Sequence, residues 1–208
     1  AIAFSKHMPA YKELENVEMT AFCNRNIEKA LEAKEKFGTP DALVTSDYGE
    51  LLKSDVDAVI IATSNLSHSE IAVAALNAKK HVMCEKPMAI TKAQSDAMIK
   101  AAEDNGMILC CSYQSRFQAQ NYTMKEYIKT GALGNIYFGK AKALRRRGVP
   151  TWGSFLNKEI QGGGPLIDIG THVLDLILWE MDNYEPLYCV GSTYQEFKYQ
   201  KNTANWFG

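Results

Sequence analysis

The sequence predicts an α/β protein, with a doubly wound parallel sheet in its N-terminal part and an α+β domain in its C-terminal part. Apolar, strand-like runs alternate with helix-like segments over roughly the first half of the chain, and the connections between them are short. Strand–helix alternation is typical of a parallel sheet with helices on both faces. After residue 117 the pattern changes, so we place the domains at residues 1–116 and 117–208.

The N-terminal domain begins in what the sequence indicates is already a helix, at Ala1-Ile2-Ala3. The remaining pattern predicts strands over 17–23, 57–63, 81–85 and 107–113, with helices over 26–37, 67–78 and 91–105. Asn26 is suited to cap the first of these helices, and Gly38 to end it. Thr91 and Gln94 fit a capping box, in which the threonine accepts from the third backbone N–H and the glutamine reaches back.

The C-terminal domain is predicted to contain an open, mostly antiparallel sheet that is incomplete in this chain. The pattern predicts helices over 118–129 and 165–179 and strands over 135–147 and 187–198. Gly131 ends the first of these helices, and Pro165 suits the first turn of the second.

Composition and charge exclude several classes of partner. Hydrophobic residues make up 46% of the chain and charged residues 23%, and the net charge is -1. This balance indicates neither a nucleic-acid nor a membrane partner, and no apolar run approaches the ~18 residues of a membrane span. The five cysteines show no CxxC spacing, so we expect reduced core thiols in a cytoplasmic protein. The sequence leaves the presence of a signal peptide open.

Polar residues follow four of the predicted strands, at the point where each strand ends. The residues that we expect to line one ligand crevice are Asn24, Arg25, Thr63, Asn65, His68, Glu85, Lys86 and Gln114. Ligands of doubly wound sheets bind beyond the carboxyl ends of the strands. The alternative is that strand ends are simply polar because they meet water.

Asp168 and His172 are four residues apart, so they are expected on one face of a helix that begins after Gly162-Gly163-Gly164. Such a pair is often an ordinary surface hydrogen bond, but the glycine run permits close approach of a ligand. A zinc site lacks a third ligand at motif spacing, and a serine hydrolase lacks its GxSxG motif. Lysine, aspartate and histidine around one pocket suit the movement of a proton and a hydride to or from an alcohol carbon.

Several of these motifs, in this order, resemble the Gfo/Idh/MocA oxidoreductases. The matching segments are 57–63, His68, 80–87, Arg116-Phe117, 130–134 and 163–176. The resemblance implies an N-terminal Rossmann domain that binds NAD or NADP. It also implies a C-terminal domain whose open sheet forms the interface of a homo-oligomer, a dimer or tetramer.

The resemblance also implies roles for three residues. Lys86 corresponds to the family's catalytic lysine, Asp168 to its substrate-binding aspartate and His172 to its catalytic histidine. Histidine is suited to accept a hydroxyl proton near neutral pH, and a lysine can stabilise the alkoxide that develops. Pro87 favours an extended Lys86, and we expect a cis bond between them, with Lys86 pointing over the crevice toward Asp168 and His172.

The chain departs from the family pattern at two places. The opening strand and the first two fingerprint glycines are not in this sequence, and Ala3 stands at the third glycine position, so we expect a chain truncated at both ends. Asn24 stands where many relatives carry an acid that binds the adenosine ribose, and Asn24-Arg25 favours NADP slightly over NAD.

The expected function is a dehydrogenase or reductase of a sugar, sugar acid or cyclitol. Two alternatives remain open at this point. One is an NAD-dependent glycosidase of the same fold, and the other is a catalytically silent nucleotide-binding regulator.

Overall fold

The computed structural model describes residues 2–146, 148, 150 and 153–194, and the chain divides into two compact units, Ala1–Ser112 and Tyr113–Gly208. Each unit has its own secondary structure. The predicted strand positions at 147 and 195–198 lie outside the described residues. None of the helices in the described ranges is both long and apolar enough to cross a membrane.

The first unit contains short strands that pair only in parallel, as the sequence predicts. They are β1 (Ala21–Cys23), β2 (Leu43–Thr45), β3 (Ala58–Ile61), β4 (His81–Glu85) and β5 (Leu109–Ser112). They form two hydrogen-bonded sets, β1-β2 and β3-β4-β5. In each set, strands that follow one another in the chain lie side by side, as in one half of a doubly wound sheet.

The helices of the first unit connect these strands. A π-helical turn (Ala3–His7) continues into α1 (Met8–Lys12), and then follow α2 (Ile27–Phe37), α3 (Tyr48–Lys53), α4 (His68–Asn77) and α5 (Lys92–Asn105). A helix at the start of the chain is therefore confirmed. β2 and α3 were not predicted, because a three-residue strand and a six-residue helix are too short to show a periodicity.

The predicted helix ends are confirmed, with one difference at α5. The Asn26 side chain accepts from the backbone N–H of Glu28 at 3.1 Å and caps α2, while α5 ends at Gly106 in the left-handed region. Thr91 Oγ1 accepts from the backbone N–H of Gln94 at 3.3 Å. The Gln94 side chain, however, accepts from the N–H of Ile90, so the reciprocal bond of the capping box is made one residue earlier.

The first unit has two apolar cores. The larger lies between the β3-β4-β5 set and the helices α4 and α5, and its most buried side chains include Ile61, Leu76 and Met98. Full burial of such a side chain contributes about 1.5–3 kcal/mol. The smaller core centres on Phe22 and is covered by α2.

The first helical segment contacts both strand sets. Phe4 and Met8 pack against the smaller core, whereas the Tyr11 hydroxyl donates to Met83 Sδ on β4 at 3.0 Å. This segment therefore packs against both strand sets and links them.

The cysteines are free thiols, but they do not share one environment. Cys84 is buried on β4, as expected of a core thiol. Cys23, Cys110 and Cys189 are exposed, so their prediction as core residues is wrong.

The second unit is helical in its described part. Its elements are the 3₁₀ turn Gln114–Phe117, α6 (Ala119–Lys129), α7 (Lys158–Gln161), the π-helical turn Leu166–Gly170 and α8 (Thr171–Met181). The helix predicted after Pro165 is thus present, with a π-helical first turn. The short helix α7 was not predicted.

The two strands predicted for the second unit are not formed in its described residues. Residues 135–146 and 187–194 have neither helix nor strand structure. A strand requires the hydrogen bonds of a neighbouring strand, and in the part of the chain that the structure describes neither segment has such a partner. The expected open, mostly antiparallel sheet is therefore not seen there.

Candidate active site

The carboxyl ends of β3 and β4 bring two of the predicted site segments together. The strands pair in parallel from Ala58↔His81 to Ile61↔Cys84, so the chain leaves both strands at the same edge. The loop that contains Thr63 and Asn65 therefore lies at the same edge of the sheet as Glu85 and Lys86. This is the edge at which doubly wound sheets bind ligands.

The loop after β3 is rich in hydroxyl groups. Thr63 is exposed, and its Oγ1 accepts a hydrogen bond from Ser67 Oγ at 3.1 Å. Asn65 begins a single 3₁₀ turn that leads into α4. Small polar side chains at this position leave room and donors for a polar ligand at the end of β3.

His68 has a different position from the one expected of a crevice-lining residue. It is 1% exposed, and its Nδ1 lies 2.8 Å from the carbonyl oxygen of Pro87. A carbonyl can only accept, so Nδ1 carries the proton of this bond. Burial lowers the pKa of His68, which keeps the ring neutral. The histidine therefore contacts the turn that carries Lys86.

Glu85 ends β4 and is bound on both carboxylate oxygens. Its Oε1 lies 2.7 Å from His7 Nε2, and its Oε2 accepts the backbone N–H of Lys86 at 3.1 Å. Burial acts to raise the pKa of Glu85, but the hydrogen bond and charge of His7 together with Lys86 outweigh it, and the pKa is lowered. His7 was missed in the sequence, although His7 and Tyr11, four residues apart in one helix, were a usable signal.

Lys86 is the first residue beyond β4, and its peptide bond to Pro87 is cis, as expected. Its side chain is half-buried in the first unit. Asp168 and His172 belong to the second unit. The expectation that Lys86 points toward that pair stays a prediction.

The end of β1 presents an amide and a guanidinium. Asn24 and Arg25 are both exposed. The backbone N–H of Asn24 donates to the carbonyl of Thr45 on β2 at 3.2 Å, and its side chain accepts from the N–H of Asn26 at 2.9 Å. The turn is therefore fixed by hydrogen bonds, while Arg25 extends from it into solvent.

In the second unit, the glycine run forms a tight entry into the helix of Asp168 and His172. Gly162 adopts the left-handed conformation (φ 80°) and ends α7. A Cβ on Gly163 would lie 2.7 Å from Ile167 Cγ1, so the close approach here is to the protein's own side chain. Asp168 lies in the π-helical turn, and His172 lies in the first turn of α8.

His172 lines a cavity of about 420 Å³ within the second unit. The other residues of its wall are Gln114, Ser115, Gln118, Lys142, Ala143, Leu144, Arg145, Ile169 and Val173. Gln114, which was predicted for the cofactor crevice, thus lies beside His172. Amide and hydroxyl groups on one wall offer both donors and acceptors, which suits a ligand that carries several hydroxyl groups.

Two further contacts were missed in the sequence. The ring of Tyr113 meets His172 edge-on, with centroids 6.4 Å apart and planes at 85°. The guanidinium of Arg116 donates to both carboxylate oxygens of Asp175, with Nε 2.8 Å from Oδ2. In the sequence both residues stood out only within the segments that resemble the family, because nothing in their spacing pairs them.

In the second unit, the carboxylate of Asp168 and the imidazole of His172 can bind a hydroxyl group and accept its proton. In the first unit, Lys86 supplies an ammonium, a group that can stabilise an oxyanion. In the described ranges, no group of three or more His, Cys, Asp or Glu side chains is arranged to hold a metal ion.

Comparison with known families shows two matches that together cover most of the chain. Residues 1–113 match the oxidoreductase family with an NAD-binding Rossmann fold, and residues 122–205 match the GFO/IDH/MocA C-terminal domain. The first match alone covers more than half of the 208 residues.

Similar proteins include dehydrogenases of carbohydrates and cyclitols. D-glucoside 3-dehydrogenase of Escherichia coli is 40% identical over 179 residues, which is 86% of this chain and 50% of that protein. Myo-inositol 2-dehydrogenase of Thermotoga maritima is 29% identical over 188 residues, 89% of this chain and 54% of that protein. The chain thus spans about half the length of these relatives.

Solved structures agree with these matches. The crystal structure of an oxidoreductase domain protein from Kribbella flavida superimposes with a TM-score of 0.76 and 29% identity, over 88% of this chain and 52% of that one. The α/β fold with parallel strands is therefore shared with that protein. The family matches, the relatives and the fold together show that this chain belongs to the GFO/IDH/MocA family of oxidoreductases.

Proposed function

We propose that the complete protein is an NAD- or NADP-dependent dehydrogenase or reductase that acts on a hydroxyl or carbonyl of a sugar, sugar acid or cyclitol. The observation that carries this proposal is His172 on the wall of a cavity of about 420 Å³ with Gln114, Ser115 and Gln118. The similarity to D-glucoside and myo-inositol dehydrogenases supports the same substrate class.

The residues at the strand ends of the first unit fit a dinucleotide. Exposed Asn24 and Arg25 follow β1, where the adenosine would bind, and the hydroxyl-rich loop with Thr63 and Asn65 follows β3. We propose that Glu85, Lys86 and Gln114 complete the cofactor-binding set, and that His68 contributes through the turn it binds. The exposed guanidinium of Arg25 favours NADP, because it suits the 2′-phosphate. When bound, the dinucleotide accepts or donates the hydride.

The proposed catalytic residues are Lys86, Asp168 and His172. His172 accepts the proton of the substrate hydroxyl, or returns it in the reverse reaction. Asp168 accepts hydrogen bonds from neighbouring hydroxyl groups and thereby orients the sugar. The Lys86 ammonium stabilises negative charge on the reacting oxygen.

We assign dinucleotide binding to residues 1–116 and substrate binding and self-association to residues 117–208.

A homo-oligomer, dimer or tetramer, is supported by the apolar residues that segment 187–194 presents to solvent. Leu187 is 97% exposed and Val190 is 87% exposed. Sedimentation of the complete protein with Leu187→Asp and Val190→Asp tests this, because charges in an apolar interface lower the association state. We also propose a cytoplasmic location, because five free thiols are typical of a reducing compartment.

The function is tested by a spectrophotometric screen of the complete protein. Sugars, sugar acids, polyols and cyclitols are incubated with NAD or NADP, and reduced nicotinamide is measured. Net formation with a member of the panel supports the proposal. Glycoside cleavage without net cofactor turnover would indicate the glycosidase alternative, and dinucleotide binding without either reaction would indicate a regulator.

A further inference from the structure

The ion pair between Arg116 and Asp175 joins two segments of the second unit. Arg116 lies in the 3₁₀ turn Gln114–Phe117, and Asp175 lies in α8, 59 residues later. Nε donates to Oδ2 at 2.8 Å, while Nη2 donates to Oδ1. A two-bond guanidinium–carboxylate pair fixes the plane as well as the separation of its partners, which a single hydrogen bond does not do.

This pair lies next to the proposed base. Asp175 is three residues beyond His172 in α8, so the two side chains are neighbours on the helix surface. His172 itself meets the ring of Tyr113, which directly precedes the turn of Arg116. The segment 113–116 therefore contacts α8 at His172, through Tyr113, and at Asp175, through Arg116.

A third contact lies on the same face of α8. The Arg116 guanidinium lies 5.7 Å from the ring centroid of Trp179, one helical turn beyond Asp175. Contacts at His172, Asp175 and Trp179 follow one face of α8 and together define its rotation about its own axis. That rotation decides how the imidazole meets the cavity that it lines.

The ion pair is mostly buried and has two hydrogen bonds, so it can fix an orientation. The side chains of Arg116 and Asp175 are 30% and 11% exposed, which sets this pair apart from the exposed ion pairs that contribute little to folding. The hydrogen bond to Asp175 raises the pKa of Arg116, so the guanidinium stays charged.

We propose that Arg116 and Asp175 are positioning residues that hold the imidazole of His172 in its reactive orientation. This proposal rests on the proposed function, in which His172 exchanges a proton with the substrate. A displacement of about 1 Å in a reacting group costs on the order of 100-fold in rate. The pair touches neither substrate nor cofactor in this account, so its loss affects the chemical step and spares dinucleotide affinity.

The test compares four variants of the complete protein. Arg116→Gln and Asp175→Asn each break the pair, the exchange Arg116→Asp with Asp175→Arg rebuilds it with reversed polarity, and Lys129→Gln breaks an exposed pair with Glu126 elsewhere in the unit. Turnover of methyl glucoside and myo-inositol is measured together with dinucleotide affinity. We expect kcat to fall about 10- to 100-fold in both single variants, to recover in part in the exchange variant and to be unchanged in Lys129→Gln.

A second readout does not depend on activity. The ring Cε1–H resonance of His172, assigned by its loss in His172→Ala, is recorded for each variant. We expect it to shift in both single variants and to move back toward the wild-type position in the exchange variant. If the wild-type protein oxidises neither probe, the proposed function is in doubt while this resonance still tests the pairing. A His172 resonance and a turnover that respond no more to Arg116→Gln than to Lys129→Gln would overturn the proposal.

Discussion

The Nδ1 atom of His68 lies 2.8 Å from the carbonyl oxygen of Pro87, the residue that follows Lys86. This bond ties the first residue of α4 to the turn at the end of β4. Both partners are buried, so water cannot replace either of them without rearrangement. The position of the proposed catalytic lysine thus depends on a histidine that is itself almost inaccessible.

Replacing His68 by Leu should lower both stability and turnover. The change leaves the buried Pro87 carbonyl without its donor, which costs about 1–3 kcal/mol of unfolding free energy. His68→Asn should lose less stability and less turnover, because the asparagine amide can occupy a position close to that of Nδ1 and donate to the same carbonyl. Urea unfolding and turnover of the complete protein are the measurements.

A second histidine of the same unit provides the control. His81 Nδ1 accepts from the backbone N–H of Ile108 at 3.0 Å, at the opposite end of β4 from Lys86. His81→Leu should therefore reduce stability with little effect on turnover. An equal loss of turnover in His81→Leu and His68→Leu would show that His68 has no specific relation to Lys86.

The stability of the first unit should fall on acidification, beginning near the ordinary pKa of histidine. Burial lowers the pKa of His68 in the folded state. Below about pH 6.5 the unfolded chain binds a proton at this position that the folded chain does not, so the unfolding free energy decreases as the pH falls through the folded pKa. We expect His68→Asn to flatten this dependence, measured as urea midpoints across pH. A dependence that is identical in the two proteins would contradict the assignment of His68 as a buried neutral ring.

Titration of Glu85 should cause a separate loss of folding stability at lower pH. Its pKa is lowered in the folded state, because His7 and Lys86 outweigh the opposing effect of burial. The stability that it contributes is complete above the ordinary carboxyl pKa of about 4.3 and is lost as the pH falls through the folded value. Glu85→Gln should remove this lower step while the step near pH 6.5 persists. Thermal melts of both proteins across the acidic range provide the check.

Gly163 and Gly164 should differ sharply in their tolerance of a methyl group. A Cβ at Gly163 would lie 2.7 Å from Ile167 Cγ1, whereas a Cβ at Gly164 meets no atom within 4 Å. Gly163→Ala should therefore cost about 1–3 kcal/mol through overpacking and displace the turn that contains Asp168. Gly164→Ala is the matched control and should leave unfolding and turnover near wild type. Equal effects of the two changes would contradict the close packing of Gly163 against Ile167.

Arg25 should decide the cofactor preference. If its guanidinium binds the 2′-phosphate of NADP, Arg25→Ala removes hydrogen bonds to a charged group, each worth about 1.5–3 kcal/mol. We expect the Kd of NADP to rise about tenfold or more, with the Kd of NAD unchanged. Lys29→Ala removes a nearby exposed charge on α2 and serves as the control. A parallel weakening of both dinucleotides would indicate a general electrostatic effect.

Much of the first unit could be predicted from the sequence because its signals are local. The cap of α2 at Asn26 and the left-handed end of α5 at Gly106 are set by single residues, and β3 is a continuous apolar run. Residues 135–146 and 187–194 also have strand-like composition, but a strand exists only where a neighbour supplies its hydrogen bonds. Composition contains no information about that neighbour.

In the candidate site, too, local signals could be predicted from the sequence and long-range contacts could not. Lys86, Asp168 and His172 were found by motif and spacing, which are properties of the chain. The contacts that hold such residues join distant segments, such as His68 with Pro87 and Arg116 with Asp175. No spacing rule predicts them, since the fold alone decides which side chains meet.

The proposed exchange of a proton between His172 and a carbohydrate or cyclitol hydroxyl is tested by comparing the complete wild-type protein with His172→Ala. Single-turnover rates of nicotinamide reduction are measured for both proteins, together with the Kd of the dinucleotide. We expect the rate of His172→Ala to be lower by about 10²–10⁴, the usual contribution of a general acid–base group, with dinucleotide affinity unchanged. A rate equal to that of the wild-type protein would show that His172 is a structural residue and would contradict the proposed mechanism.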